Sequence, residues 1–332
     1  MRLELPTKSV DYQLRFRDDL RSSSPEDPEK AVLILTSTSD SEVDRVSFDL
    51  GTGGYPVYRI DSERCLELSL ETDGGPVLTL DGLAIRPVII WDRHFSTEGI
   101  PDVNHELVDG YNRTMWEGIF EWLQELPALH IASRSTMPSR LGQVVLARKL
   151  GLQVPPTFLT NSAKAAAETL AASPENLFFK PAGRHFYQTT PGHAQGAIPR
   201  RGLAESAPTE AVPLVFQKYI KHTREFRCFV IENQVVGFEI AKDRPDHLWR
   251  DVEVGVARVA VPRGMAEAAL AIAEHIQAKI CAVEFLVLLD GSFVFLEVNR
   301  AGDWTWFEQH AADYTVSESV NDYLKKEFDA LP

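Results

Sequence analysis

Glu284, Glu297 and Asn299 fall on two apolar, β-rich runs separated by Asp290-Gly291. An Asp-Gly pair between such runs is a strong hairpin signal, because tight hairpin turns demand positive φ and these two residues tolerate it. Side chains alternate along a strand, so Glu297 and Asn299 are expected on one face. A carboxylate inside Phe293-Val-Phe-Leu-Glu297-Val is costly to bury unless something pairs with it. Three oxygen donors on adjacent strands suit a hard divalent cation that keeps some waters and bridges to phosphate, as Mg2+ does. The alternative is a pair of strand-edge acids facing solvent.

Cations stand upstream. Lys180 ends the apolar run Leu177-Phe-Phe-Lys180 and leads into a loop with Gly183, Gly192 and Gly196. Such a lysine could meet a phosphate while loop N–H groups cradle others, or it could be a strand-end lysine snorkelling over the surface. Arg227 follows Glu225 by two residues on one strand face. Its planar fork suits phosphate oxygens; a cross-strand ion pair without function is the other option. Gln217-Lys218-Tyr219-Ile220, after Leu214-Val-Phe216, reads as a strand running into a linker whose backbone could meet an adenine edge. Trp304 and Trp306 either cap a core or line a peptide-binding groove. No Ser/His/Asp set, Cys/His pair, dinucleotide-binding glycine fingerprint or Walker-type phosphate loop has convincing context.

The elements that must position these residues alternate along the chain. Residues 1–30 read as a polar arm. Residues 31–135 open with a buried strand at Ala31–Leu35 and reach a second at Pro87–Trp91, with helix-like Asp44–Leu50 and a possible hairpin about Gly74-Gly75 between them. That order points to a small α/β domain. Trp116, Ile119, Phe120 and Leu123 then repeat at helical spacing, and Leu141–Leu150 is a further helix stopped by Gly151. Residues 136–220 hold that helix, an extended break at Gln153–Thr157, a helix over Ala163–Ala172, a strand over Asn176–Lys180, the glycine loop 183–202 and a strand from Leu214. Residues 221–332 hold strands at Glu225–Ile231 and Gln234–Ile240, a helix marked by Met265, Ala269, Ile272, Ile276 and Ile280, the carboxylate hairpin and a final helix near Thr315–Asp329.

The chain has 332 residues, too many for one small core. Its net charge of −14 argues against a general nucleic-acid or anionic-membrane surface. Cys65, Cys228 and Cys281 are widely spaced and odd in number, which reads as reduced thiols in the cytoplasm. No apolar run approaches the ~18 residues of a membrane span, and the N-terminus lacks an apolar signal core.

A strand-end lysine, a glycine loop, a strand with a linker, an arginine on a strand and paired carboxylates with an Asn occur here in an order that resembles the ATP-grasp fold. Phe295-Leu-Glu297-Val-Asn299-Arg-Ala-Gly302-Asp-Trp304-Thr-Trp306 is similar to the terminal signature of the ATP-grasp ligases that macrocyclise ribosomal peptides, the microviridin or graspetide family. Ala31–Arg93 is similar to that family's N-terminal pre-ATP-grasp domain, and Gly151–Asn161 to the opening of its grasp domain. Arg300 and Asp303 stand where the family has Pro and Gln, Glu284 where Asp is common, and Ser139-Arg140 where it carries Lys-Pro.

The resemblance implies an α/β (α+β) architecture of a pre-ATP-grasp domain, a central domain and a C-terminal grasp domain. It implies an ADP-forming ligase using ATP and Mg2+. An Asp or Glu side chain of a precursor peptide, with leader and core, would be phosphorylated and then captured by a Ser/Thr hydroxyl or Lys amine as an ester or amide. Joining an amino acid or amine to a separate peptide or small acid is the alternative. In that scheme Glu284, Glu297 and Asn299 hold Mg2+, Lys180 and Arg227 meet the phosphates, Arg250 matches a Trp-Arg pair and joins them, Gln217–Ile220 takes the adenine, and loop 183–202 closes as a lid. A homodimer is expected on the same ground.

Overall fold

The structure, a computed structural model, describes residues 27–64, 68–71, 77–97, 106–133, 135–182, 186–190, 193–196, 200–201, 213–242 and 254–332. The described residues fall into two compact units, one taken from 27–133, 190 and 317–332, the other from 135–189 and 193–316. No helix among the described residues is long and apolar enough to cross a membrane.

The first unit is built on a six-stranded sheet: β1 (Glu29–Thr36), β2 (Val57–Asp61), β3 (Leu68–Glu71), β4 (Val77–Leu80), β5 (Leu83–Asp92) and β6 (Leu129–His130). β1 lies between β2 and β5, parallel to both. Its run Ala31–Leu35 is wholly buried, as a strand covered on both faces must be. The hairpin expected about Gly74-Gly75 is the antiparallel pair β3–β4, its turn outside the described residues. Helix α1 (Ser41–Thr52) starts after Asp40, whose carboxylate accepts from Val43 N–H at 3.3 Å, the usual N-cap arrangement. Helix α2 (Glu106–Glu125) buries Phe120 and Leu123, with Trp116 and Ile119 packed beside them.

Asp40 also takes two hydrogen bonds from Arg93, Nε at 2.8 Å and Nη2 at 3.1 Å, and one from Thr36 Oγ1 at 2.5 Å. Both side chains of the pair are fully buried. Burial pushes the Asp40 carboxyl up, but the Arg93 charge and hydrogen bonds outweigh it and hold its pKa at about 2, below the ordinary 3.8. A depressed carboxylate adds stability that is present above its unfolded pKa and disappears as pH falls through the folded value. The first unit is therefore expected to lose ~2 kcal/mol between pH 4 and pH 2 from this group. An Asp40→Asn variant, less stable at neutral pH, should show a shallower acid limb in thermal melts over that window.

The second unit holds two larger sheets and a two-stranded one. β7 (Thr157–Thr160), β8 (Leu177–Pro181), β11 (Arg200–Arg201) and β12 (Leu214–Lys218) form one in the order β11-β8-β12-β7. Helix α4 (Ala163–Thr169) packs here on a core of Ala166, Leu170, Leu177, Phe179 and Phe216. β13 (Arg224–Ile231), β14 (Gln234–Lys242), β15 (Val254–Val259), β16 (Ile280–Val287) and β17 (Phe293–Asn299) form an antiparallel sheet ordered β15-β14-β13-β16-β17. Helix α5 (Arg263–His275) buries Met265, Ala269 and Ile272; it is shorter than the spacing to Ile280 predicts, because Ile276 caps it and Ile280 already opens β16. The unit also contains α3 (Arg140–Lys149) and the short α6 (Thr305–Ala311). Helix α7 (Thr315–Ala330) ends the chain; its Asn321 donates to Asp49 and its Asp329 accepts from Tyr55, all within the first unit.

Two expectations change. The glycine loop 183–202 is not a plain loop: β9 (Phe186–Thr190) and β10 (His193–Gly196) pair within it and β11 joins a sheet, while residues 183–185, 191–192, 197–199 and 202 lie outside the described residues. The break after Pro155-Pro156 leads straight into a strand, β7, paired antiparallel to β12.

Candidate functional site

The hairpin predicted around Asp290-Gly291 is β16–β17. Gly291 has φ +82° at its turn, and Asp290 accepts from Ser292 N–H at 2.9 Å. Phe285 pairs with Phe295 but Glu284 pairs with Glu297, which leaves Leu296 as the extra residue of a β-bulge. The bulge decides the chemistry. In an unbroken ladder Glu297 would share a face with Phe295, which is buried at 1% exposure. The extra residue turns Glu297 to the opposite face, beside Glu284, and Asn299 follows two residues on. Arg227 of β13 pairs with Glu284 from the other side, so Arg227, Glu284 and Glu297 form one row across three strands.

Arg227 binds Glu284 Oε1 through Nη1 and the Gly302 carbonyl through Nη2. Its guanidinium lies 5.0 Å from the ring centre of Phe307, and its buried Nε has no hydrogen-bond partner. Lys180, near the end of β8 and 8% exposed, brings Nζ to 3.6 Å from Glu297 Oε2. Burial pushes the Glu284 carboxyl well above the usual carboxylate range. Arg227 and Lys180 pull it down, while Glu297 and Glu225 push it further up. Glu225, on the face of Arg227, pairs with His222 at 2.9 Å and with Lys242.

Asn299 is held at both ends of its amide. Nδ2 donates to Asp303 at 2.7 Å, and Oδ1 accepts from Ala301 N–H at 2.9 Å. A carbonyl oxygen has a second lone pair. The site thus offers two carboxylates and an amide oxygen, with two cations nearby. That set fits Mg2+ delivered with nucleotide phosphates, since the phosphates and water would complete its shell. Among the described residues no group of three or more His, Cys, Asp or Glu side chains could by itself hold a metal ion.

Gln217 is buried and donates to Thr157 Oγ1 at 3.1 Å. The N–H groups of Lys218 and Tyr219 are taken by the Pro156 and Asn176 carbonyls. The Tyr219 ring sits between Phe178 and His222, at 5.8 and 5.9 Å, and the Ile220 carbonyl pairs with His222 Nδ1 at 2.8 Å. These four residues form the edge of β12 and the linker into β13. Arg250 lies outside the described residues.

Trp304 is buried and caps α6, and its ring lies 3.1 Å from where a Cβ on Gly302 would stand. Gly302 also has φ +90°, so glycine is required both by the backbone and by the ring over it. Trp304 belongs to the core, while Trp306 is partly exposed and lies 4.2 Å from the His310 ring.

Near the row stand Arg140 of α3, noted from the sequence only as a departure from the family's Lys-Pro, and Gln143 of the same helix, which the sequence did not single out. Burial disfavours the charge on Arg140, and Glu297 offsets this in part; Arg140 Nη1 is buried without a hydrogen-bond partner. Their only sequence signal is a spacing of three on one helix, which places them on one face.

Residues 202–316 match the family described as RimK-like ATP-grasp domain. Human N-acetylaspartylglutamate synthase A is 29% identical over 119 residues, 32% of this chain and 30% of that protein. The chain thus spans about a third of the length of the curated relatives it matches. Among solved structures, macrocyclase MdnC of Microcystis aeruginosa, bound with precursor peptide MdnA, superposes with a TM-score of 0.75 at 19% identity, over 89% of this chain and 99% of that one. The ATP-grasp ligase PsnB, complexed with a minimal precursor, Mg and ADP, gives 0.71 at 21% identity over 90% and 97%. Likeness this distant in sequence speaks for the fold, which is ATP-grasp as the motif order implied.

Proposed function

We propose that this ATP-grasp ligase acts on a ribosomal precursor peptide, phosphorylating an Asp or Glu side chain and closing an ester or amide within the same peptide. The row Arg227–Glu284–Glu297, closed by Lys180, carries the reading: two acids and two cations pair with one another while largely shielded from solvent. Such a set suits phosphoryl transfer, which needs positioning and charge neutralisation more than an enzyme nucleophile. MdnC and PsnB, both solved with precursor peptides, support the choice of substrate.

Glu284, Glu297 and the Asn299 oxygen would hold Mg2+, which when bound neutralises phosphate charge and fixes the phosphate oxygens. Lys180 would bind phosphate oxygens that are not transferred. Arg227 would exchange part of its contact with Glu284 for the transferred phosphoryl group and the acyl phosphate it forms. Gln217–Ile220 would seat the adenine, Arg250 would join the phosphate contacts, and the β9–β10 segment would cover the site against water. Attack by the acceptor hydroxyl or amine on the acyl carbon expels phosphate. Each bond then consumes one ATP, yields ADP and phosphate, and removes one water from the peptide. A cytoplasmic homodimer belongs to the same reading, as does an arrangement of residues 31–135, 136–220 and 221–332 as pre-ATP-grasp, central and grasp domains.

Incubation with Mg-ATP and a short peptide encoded beside the gene should release ADP and lower the peptide mass by one water per bond. Joining two molecules is the second reading, favoured by the likeness to N-acetylaspartylglutamate synthase A; a mass gain selects it. ADP release with an unchanged peptide overturns the macrocyclase.

A further inference from the structure

β17 carries two of the three proposed metal donors, yet it is the edge strand of its sheet. Edge strands present a row of unpaired backbone groups and are the least constrained members of a sheet. A metal site needs donors held within about 0.5 Å, so something outside the sheet must fix this strand.

Two outward N–H groups of β17 show what does. Phe295 N–H donates to the Gln153 carbonyl at 2.8 Å. Val298 N–H, between Glu297 and Asn299, donates to Gln143 Oε1 at 3.0 Å in a buried contact. Both acceptors come from α3 and the segment after it. The bulge at Leu296 moves the outward N–H from position 295 to position 298, so no regular ladder partner could serve both. Gln143 is 8% exposed, and Arg140, one turn earlier on the same helix, senses the charge of Glu297.

We propose that Gln143 is a positioning residue for the metal site: its side-chain oxygen anchors the Val298 N–H and thereby fixes the strand geometry of Glu297 and Asn299. The inference rests on the reading of those two residues as metal donors. Partners that orient metal ligands without touching the metal commonly contribute ~10- to 100-fold in affinity. Gln143 reaches the ligands through the backbone, which sets the strand between them. Leucine at this position would leave the Val298 N–H buried and unpaired, and the strand free to shift. Asparagine withdraws the oxygen by one methylene. Glutamate keeps an acceptor at the right reach.

The test uses the full chain with saturating ADP and titrates Mn2+, read by the spin-resonance signal of the free ion, with a thermal melt on each variant. Gln143→Leu and Gln143→Asn are expected to weaken Mn2+ binding ~10- to 100-fold, while Gln143→Glu stays within a few-fold of the parent. A purely structural role would lower the melting temperature and leave the Mn2+ affinity of the folded protein unchanged, which overturns the proposal. Equal affinity in Gln143→Asn, the milder change, overturns it even if Gln143→Leu fails to fold. Parent protein that binds no Mn2+ with ADP overturns the donor assignment itself, and this inference with it.

Discussion

A Glu297→Gln, Asn299→Ala double variant is expected to lose ADP formation and peptide dehydration together, by ~10²-fold or more. The lower bound follows from the ~10- to 100-fold that residues merely orienting a metal ligand contribute; two direct donors should exceed it. The fold should survive. Glu297 sits on an edge strand with 27% of its side chain exposed, and the Asn299 amide supports only the local turn to Ala301 and Asp303, worth ~1 kcal/mol. The residual activity should need far more Mg2+ for half-saturation than the parent requires. Rates at several Mg2+ concentrations, with a melting curve on the same sample, separate loss of the metal from loss of the fold. Normal turnover in the double variant removes the metal assignment.

The sequence made the hairpin legible and left the bulge hidden. Alternation in Phe293–Asn299 and the Asp290-Gly291 turn are local signals, so β16, β17 and their connection could be read directly. Leu296 has no local mark of a bulge: it is neither Gly nor Asn, and the register shift emerges only when Phe285 and Phe295 pair in the core while Glu284 and Glu297 pair above it. Arg227 shows the same limit. Its position on a strand face was readable, but its partner depended on which residue of a strand far along the chain stands opposite, and that is Glu284. Glu225 goes instead to His222 and Lys242. The hairpin β9–β10 escaped because glycine, proline and histidine around it outweighed the short Phe186–Thr190 run. β7 escaped because four residues after a double proline carry too little periodicity. Gln143 is the extreme case: a glutamine on a helix becomes visible only when an edge strand comes to rest against it.

Arg227→Met is expected to be the most damaging single change, and for two separable reasons. Loss of a guanidinium that stabilises charge on a transferring phosphoryl group should cost ~10²- to 10³-fold in turnover. The change also leaves Glu284 buried beside Glu297 without its closest cation, and breaking such a pair typically costs ~3–5 kcal/mol. Glu284 already has a raised pKa because of burial, and removing Arg227 raises it further. A carboxyl raised on folding contributes stability at low pH that is lost as pH climbs from the unfolded value, near the ordinary 4.5, through the folded one. The metal-free variant should therefore lose stability relative to the parent as pH rises above about 4.5, a trend visible in melts across that range. Adding Glu284→Gln removes the buried charge, so Arg227→Met, Glu284→Gln should regain much of the stability and lose the pH trend while staying inactive. Recovery of turnover along with stability would mean that Arg227 serves only to neutralise Glu284, and both its role toward the phosphoryl group and the place of Glu284 among the metal donors would have to be abandoned.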